Sequence, residues 1–557
     1  MLALIPALSL SLWSVAPAPH QDPLPPAPPV EEVVESPPPP PPAELPPAGY
    51  LTPERLSEEL QALAAASPRL ELSTLGTSPL GRPIHLATFR SSEGAGDKPD
   101  ALIVANLEGD RLAASEVAIG LIRRLAQSDR AWSQTGNLHI VALANPDGAA
   151  RAMQGLDPRR GQPVDEDRDG RMDEDQPEDI DGDGRILWVR QFSAAGEYFA
   201  AGPNGEVNEK VEAAKTKAGE FHLRREGRDV DQDRHESEDD FGGIAVDANF
   251  PHRWHEHQSV AGPFPLSEPE SRALATFLLS RPQIAWVIVL DDEDNLASVP
   301  GGIDSFSINA KDPLKGDAPY LKRWSESLYP KDQKELKKPK GADHGRGNFA
   351  DWAYYQLGAF VLESSLWSIP VESGEDKGSE EVQRVAWAQA TYGGAGYAPW
   401  RPFTLPEVGE LQVGGWAPLV QVNPPADQLP ALVERYHGWL SGMADDFARL
   451  QWAEVELKPL DFQEVYQLRA RLVNVGPLPS QSAMADVNRR LLPIRVQLEL
   501  PAGVELLTGR MTQTVGTLAA GGGSEELEWI VRRPAGAAPL SLTAAGPTCG
   551  KASQTIE

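Results

Sequence analysis

The chain has 557 residues, of which 41% are hydrophobic, and carries a formal net charge of −30 at pH 7. This length allows two or more domains, each with its own core, whereas so acidic a surface repels polyphosphates and excludes nucleic acid as the expected partner. The single cysteine, Cys549, excludes an intrachain disulfide.

The first predicted element is an apolar stretch over residues 1–10, followed by the small residues Ser14, Ala16 and Ala18. It is too short to span a bilayer, and the small residues are typical of a signal-peptide cleavage region, although no Lys or Arg precedes them. We therefore expect a signal peptide over residues 1–20, no integral membrane segment, and a secreted, periplasmic or cell-surface protein. A plain apolar tail is the alternative.

Residues 21–49 are rich in proline, with six consecutive prolines at Pro37–Pro42. Proline lacks a backbone N–H and fixes φ, so this segment cannot join a helix or a sheet. The composition predicts an extended polyproline-II linker that acts as a tether.

From residue 50 to residue 450, helical and strand-like patterns alternate, which predicts an α/β fold with a mixed sheet. The predicted strands are Leu70–Thr77, Ile84–Phe89, Ala101–Ala105, His139–Leu143, Ala285–Leu290 and Phe360–Glu363. The first predicted helix begins at Pro53. The other helical segments are Leu112–Leu125, Glu268–Leu279, Trp352–Leu357 and Leu432–Leu450.

Residues 455–557 have a different pattern, in which short strands are separated by turn signals and no helix is predicted. This pattern indicates a small all-β, immunoglobulin-like sandwich. A role in stability or adhesion is the simplest interpretation of such a domain.

Acidic inserts interrupt the α/β region at residues 163–240. The first has aspartates at positions 1, 3, 5 and 9 of a loop and Gly170 at position 6, which is the first part of a calcium-binding loop. A second run repeats the pattern, and the alternative for both is a solvated acidic loop. The predicted calcium ligands are Asp165, Asp167, Asp169, Asp173, Asp179, Asp181 and Asp183.

Four motifs occur in the α/β region in the order that zinc carboxypeptidases of the M14 family show. They are Asn145-Pro146-Asp147-Gly148, Asp247-Ala248-Asn249-Phe250-Pro251, the run from Gly262 to Glu270, and Asp351-Trp352-Ala353-Tyr354. The chain therefore resembles this family. The resemblance implies a mixed sheet with helices on both faces, a catalytic zinc and peptide substrates.

The resemblance places the family's three zinc ligands at Glu108, Arg111 and Asp291, in place of His, Glu and His. A guanidinium has no lone pair to donate and stays charged in proteins, so Arg111 cannot coordinate zinc. We expect Arg111 to replace the metal and to bridge Glu108 and Asp291 as an internal ion pair.

The other functional positions of the family also differ. The catalytic Glu position falls on Ser365, and an isolated serine cannot act as a base near neutral pH. Glu363 shares a strand face with that position and is the candidate for a shifted base. The segment 247–250 lacks the family's arginine for the substrate carboxylate, and Arg159 is a weak match for a second one.

Three histidines, His252, His255 and His257, follow this segment outside the family's ligand positions. We expect a surface loop there rather than a new metal site.

Three functions remain open from the sequence. The first is an exported, catalytically degenerate member of the family that binds peptide or cell-envelope ligands. The second is an active metallocarboxypeptidase whose metal site is rebuilt from Glu108, Asp110 and Asp291–Asp294, with Glu363 as base. The third is a structural envelope or adhesion protein.

Overall fold

The computed structural model describes residues 44–92, 98–156, 177–202, 204–211, 219–228, 244–307, 310, 312–330, 346–372, 379–406 and 408–557. The predicted signal peptide and most of the predicted linker lie outside these ranges. The end of the linker differs from the prediction, because residues 46–49 form turns rather than an extended segment. Tyr50 anchors them: its hydroxyl donates to the carbonyl of Pro424 at 2.5 Å.

Nine α-helices and twenty strands make up the described chain. The helices are α1 Pro53–Ala66, α2 Leu112–Gln127, α3 Pro146–Ala152, α4 Pro269–Leu279, α5 Ala318–Leu328, α6 Phe349–Trp352, α7 Glu380–Tyr392, α8 Leu429–Gly442 and α9 Ala483–Asn488. A π-helical turn, Ala353–Leu357, continues α6. None of the helices described is long and apolar enough to cross a membrane.

The first half of the strands spans the α/β region. They are β1 Leu70–Thr77, β2 Pro83–Phe89, β3 Asp100–Ala105, β4 Asn137–Val141, β5 Trp188–Phe192, β6 Tyr198–Ala201, β7 Val207–Lys210, β8 Phe221–Arg225, β9 Ile284–Leu290 and β10 Phe360–Ser364. The others are β11 Tyr397–Leu405, β12 Gly409–Trp416, β13 Leu450–Pro459, β14 Val465–Asn474, β15 Ile494–Glu499, β16 Glu505–Thr508, β17 Thr512–Val515, β18 Gly523–Arg532, β19 Leu540–Gly546 and β20 Gly550–Ile556.

The main sheet has the order β1-β2-β4-β3-β9-β10. Strands β4, β3, β9 and β10 are parallel, and β1 and β2 pair antiparallel, so the predicted mixed sheet is confirmed. Alternate residues of β3 enter two separate cores: Ile103 packs with α2 and α8 on one face, and Leu102 packs with α4 and α6 on the other. Helices on both faces explain why the central strands are apolar throughout.

A second sheet was not predicted. Its order is β11-β12-β5-β8-β6-β7, and four of its strands come from the acidic region that the sequence presents as inserted loops. Val189 of β5 and Val413 of β12 are fully buried in a small core beneath it. The apolar residues of these strands form short runs among many charged residues, so the sequence pattern does not indicate a sheet there.

The C-terminal region consists of two four-stranded sheets, β13-β14-β18-β16 and β17-β15-β19-β20, which enclose one core. The predicted small all-β sandwich is therefore confirmed. Two details differ, because the first strand begins at Leu450 and a short helix, α9, follows β14. The side chain of Ser482 caps α9 by accepting from the N–H of Ala485, which is the local signal for this helix.

Candidate active site

The turn between β3 and α2 depends on two residues with positive φ. Asn106 has φ 59° and Gly109 has φ 92°, a region that Asn and Gly tolerate best. The Asn106 side chain accepts from the N–H of Arg111 at 3.1 Å and donates to the hydroxyl of Ser115 at 3.1 Å. These contacts fix the start of α2, and Arg111 stands at its N-cap position.

The end of β9 lies against this turn. Asp291 is buried, and its Oδ2 accepts hydrogen bonds from the backbone N–H groups of Leu107 and Glu108. The structure therefore brings together all three positions that the resemblance assigns to the family's zinc ligands. Asp291 supports the turn, whereas Oδ1 of the same carboxylate has no hydrogen-bond partner.

Arg111 forms its ion pairs with different residues from those predicted. Its Nε lies 3.6 Å from Asp110 Oδ1, and its Nη2 lies 3.5 Å from Asp292 Oδ2. Glu108 and Asp291 also act on Arg111, because the charges of both carboxylates contribute to raising its pKa, while Oδ2 of Asp291 accepts from the backbone of the turn. The guanidinium is only 20% exposed and remains within the cluster of carboxylates.

The carboxylates and the guanidinium change one another's pKa. Burial lowers the pKa of Arg111, but the carboxylates of Asp110 and Asp292 outweigh it, so the net shift is upward. Burial and the charge of Asp292 raise the pKa of Asp291, and Arg111 opposes that rise. Arg111 is therefore the fixed positive charge of this group, because a guanidinium does not deprotonate in proteins.

Glu363, the candidate base, lies on the face of β10 that points toward this cluster. It pairs in register with Val289, two residues before Asp291, so both acids project to the same side. It accepts from the side-chain amide of Asn295 at 3.1 Å and hydrogen-bonds the carboxyl of Glu293. Burial and Glu293 raise its pKa well above the usual range, which favours the protonated acid.

Ser365 lies just beyond the end of β10 and faces another acid. Its backbone N–H and its hydroxyl both donate to Asp294 Oδ2, at 3.0 and 3.2 Å. Asp294 also accepts from the N–H groups of Leu296 and Ala297. This arrangement closes the loop after β9, and it gives Ser365 a structural contact.

The segment 247–250 connects several motifs. Asp247 Oδ1 accepts from the N–H of Phe349 at 2.8 Å, and burial together with the charge of Glu108 raises the pKa of Asp247. The side-chain amide of Asn249 donates to the carbonyl of Ala261 at 2.8 Å, and its oxygen accepts from the Ser271 hydroxyl at 2.6 Å. Asn249 therefore joins this segment to α4.

Arg253 is the described cation nearest to the missing arginine in sequence, and it already has a partner. Its Nη1 lies 3.4 Å from Asp351 Oδ2, and both side chains are less than 10% exposed. His252 stacks on Tyr355 with ring centroids 4.5 Å apart, and burial lowers its pKa to about 4. The histidines of this loop form no metal-ligand group among the residues that the structure describes.

The motif at 145–148 has a capping role. The Asn145 side chain accepts from the N–H of Gly148 at 2.9 Å at the start of α3, and Asp147 accepts from Arg82 at 2.7 Å. Asn423 also supports the site, because its side-chain amide donates to the carbonyl of Asp110 at 2.8 Å and its oxygen accepts from the N–H of Ala113 at 3.0 Å. Neither Arg82 nor Asn423 was predicted, because no local pattern marks them. Arg159 lies outside the described residues, as do Asp165, Asp167, Asp169 and Asp173.

Zinc does not fit the three family positions. A catalytic zinc needs about three deprotonated ligands at roughly 2.0–2.2 Å, and here a charged guanidinium occupies one position while the carboxylate at another holds the turn. The only group of three possible metal ligands in the described ranges lies elsewhere, at Asp179, Asp181 and Glu226. Burial and the charge of Asp181 raise the pKa of Glu226 to about 8.

Comparison with sequence models of known families identifies the family to which the chain belongs. The sequence model of the zinc carboxypeptidase family, Peptidase M14, matches residues 56–378, which is more than half of the chain. The chain therefore belongs to the M14 zinc carboxypeptidase family. Residues 449–557 match a domain of unknown function, DUF8731. A comparison with curated proteins gave no match.

Three solved structures are similar to parts of this chain at low identity. Thrombin activatable fibrinolysis inhibitor is 10% identical, with 71% of this chain and 76% of that chain covered and a TM-score of 0.38. Carboxypeptidase A from Helicoverpa armigera is 15% identical, over 62% and 74% of the two chains, with a TM-score of 0.34. A metallo-carboxypeptidase from Pseudomonas aeruginosa is 13% identical, over 70% and 68%, with a TM-score of 0.31. The family match, and not these likenesses, carries the assignment.

Proposed function

We propose that the carboxypeptidase-like region is a non-catalytic member of its family and that its former active-site cleft is a binding surface. The observation that carries this proposal is the partly buried guanidinium of Arg111, which stands at a position that the resemblance assigns to a zinc ligand and pairs with Asp292. A fixed positive charge at that point repels a divalent cation and supplies no lone pair.

The arrangement of the candidate bases supports the same proposal. A general base must be ionised to accept a proton, whereas Glu363 shares a hydrogen bond with Glu293 and has a strongly raised pKa. The Ser365 hydroxyl donates a hydrogen bond to Asp294. In this position it does not take the role of the family's glutamate. Neither residue is placed to activate a water molecule.

The chemistry of the cleft indicates which ligand class it suits. Acids predominate there: burial raises the pKa of Asp247 and of Asp291, and the charge of Glu108 adds to both shifts. Arg253, the cation nearest to residues 247–250 along the described chain, is paired with Asp351. The arginine that would receive a terminal carboxylate is missing from residues 247–250. The proposed ligand is therefore a peptide or cell-envelope component that presents an amine to these acids.

An active metallocarboxypeptidase with rebuilt ligands is the second candidate, and the number of carboxylates near Glu108 and Asp291 favours it. It requires that these acids come close enough to share one ion. Within the described part of the chain, however, they do not form a group of three ligand atoms of that kind. Export, expected from residues 1–20, belongs to the proposal as well and is tested by the N-terminal sequence of the secreted protein.

Assays of peptide hydrolysis and peptide binding on the same purified chain test the proposal. We expect no release of C-terminal residues from peptides with apolar, basic or acidic ends, with or without added zinc. We also expect saturable binding of amine-bearing peptides that weakens in the variant Asp247→Asn and not in Glu58→Gln, an exposed acid on α1. Hydrolysis that a chelator abolishes would overturn the proposal.

A further inference from the structure

Glu226 follows β8, and its carboxylate is fully buried at a place away from the family's zinc positions. It is 0% exposed, and neither of its carboxylate oxygens has a hydrogen-bond partner. Its backbone is fixed, because its N–H donates to Leu187 at 3.1 Å and its carbonyl accepts from Glu178 at 3.0 Å. A buried carboxylate with no donor near it is costly unless a proton or a cation compensates its charge.

The carboxylate of Glu226 faces the loop that precedes β5. One oxygen each from Asp179, Asp181 and Glu226 lie within 4.8 Å of one another. Calcium binds six to eight oxygens at 2.3–2.6 Å, so oxygens around one ion are separated by at most about 5 Å. The three carboxylates therefore lie at a spacing that a single calcium ion can bridge.

The loop itself lacks one ligand of a calcium-binding loop. With Asp179 at position 1, Asp181 and Asp183 stand at positions 3 and 5 and Gly184 at position 6. Position 12, where such loops supply a bidentate glutamate, is Arg190. The Arg190 guanidinium points into the sheet, where Nε donates to Asn208 at 2.7 Å.

We propose that Glu226 supplies this missing ligand and completes a calcium site with Asp179 and Asp181. The site joins two segments that are separate in the sequence, the loop at 179–184 and the end of β8. It is independent of the former zinc positions and of any ligand in the cleft.

The charges around the site agree with a divalent ion. Arg401 reaches Asp181 and Asp183 at 3.2 and 3.0 Å, and Arg185 reaches Asp183 at 3.0 Å. When all groups are ionised, these two cations face four carboxylates, which leaves a deficit of two positive charges. Both arginines contact Asp181 or Asp183, whereas the carboxylate oxygens of the buried Glu226 have no hydrogen-bond partner among the described residues, so the missing positive charge falls on the Glu226 side of the site.

Calorimetric titration of the full chain with calcium chloride, after the protein has been stripped with EDTA, tests the site. We expect a dissociation constant on the order of 10⁻⁴ M and weaker binding of Mg²⁺, which requires shorter bonds and stricter geometry. The variant Glu226→Gln should bind calcium at least tenfold more weakly or bind one ion fewer per chain. Glu410→Gln, an exposed acid on β12 of the same sheet, should titrate like the wild type.

Thermal melting distinguishes the loss of a calcium ligand from a folding defect in the variant. In EDTA, Glu226→Gln should melt at or above the wild-type temperature, because an uncompensated carboxylate has been removed. Added calcium should raise the melting temperature of the wild type and of Glu410→Gln more than that of Glu226→Gln. Equal calcium responses in the wild type and Glu226→Gln, by either method, would contradict the site.

Discussion

Arg111 Nη2 lies 3.5 Å from Asp292 Oδ2, and this ion pair joins the first turn of α2 to the loop that follows β9. A positive charge at a helix N-terminus is unfavourable, because the helix dipole is positive there. The carboxylates of Asp110 and Asp292 offset that effect. Arg111 therefore compensates the charge of nearby acids at a position that the resemblance assigns to a zinc ligand.

Replacing Arg111 should destabilise the protein. Arg111→Met leaves Asp110 and Asp292 partly buried and without their cation, so we expect the free energy of unfolding at pH 7 to fall by about 1–3 kcal/mol in urea titrations. The loss should be smaller at pH 4, because burial raises the pKa of Asp292 and so favours its neutral form there. Arg55→Met, at an exposed position of α1, should change stability by less than about 0.5 kcal/mol. Similar losses in both variants would show that the ion pairs do not stabilise the fold.

Glu270 should make stability depend on pH. It is 3% exposed, and burial and the charge of Asp147 raise its pKa from 4.5 to about 8. The folded state therefore binds this proton more tightly than the unfolded state, and its contribution to stability is lost as pH rises from about 4.5 to about 8.

The variant Glu270→Gln removes this titration. It should be more stable than the wild type at pH 8 by on the order of 1–2 kcal/mol and nearly equal to it at pH 4.5, as measured by urea unfolding. Glu58→Gln should show no such difference between the two pH values. A wild-type advantage at pH 8 would mean that Glu270 is ionised and paired in the folded protein.

Asp317 should hold the β-sandwich against the carboxypeptidase-like region. It is 1% exposed and accepts from the Tyr354 hydroxyl at 2.8 Å and from the N–H groups of Ala483 and Met484 at 2.8 and 3.2 Å. Asp317→Ala leaves these buried donors unpaired, so we expect a loss of about 2–4 kcal/mol. Asp304→Ala, on an exposed loop, should cost less than about 0.5 kcal/mol in the same denaturant titration.

Restoring zinc chemistry should require several changes together. Glu108→His, Arg111→Glu and Asp291→His rebuild the ligands, and Ser365→Glu adds the base at the position that the resemblance assigns. Residues that act as a unit are not additive, so partial sets should remain inactive in a peptide hydrolysis assay. Asp291→His also removes the acceptor for the N–H of Glu108, so the restored variants should melt at lower temperatures than the wild type. Activity from a single change would contradict this prediction.

The sequence predicted most of the main sheet because its signals are local. The apolar run that ends at Ala105 and the helical pattern from Leu112 correspond to β3 and α2. The second sheet escaped prediction because β5–β8 are strands of four or five residues within an acidic region, where few apolar residues mark a buried face.

The partners of the site residues depend on contacts that no local pattern encodes. Arg111 lies within ion-pair distance of Asp110 and Asp292, and Asp291 Oδ2 accepts from the backbone N–H of Leu107; the motif spacing indicated neither arrangement. Glu226 could not be connected with Asp179 from the sequence, since the two meet only when β8 pairs with β5. Charge and residue type therefore predict which side chains can act in the site, whereas their hydrogen-bond and ion-pair partners are set by the tertiary fold.

Elemental analysis of zinc in the purified chain, after exchange into metal-free buffer, tests the central claim most directly. The guanidinium of Arg111 should prevent binding, so we predict less than about 0.1 zinc per chain, while the quadruple variant with Glu108→His, Arg111→Glu, Asp291→His and Ser365→Glu should retain more than the wild type. About one tightly held zinc per wild-type chain would contradict the account and favour an active metallocarboxypeptidase.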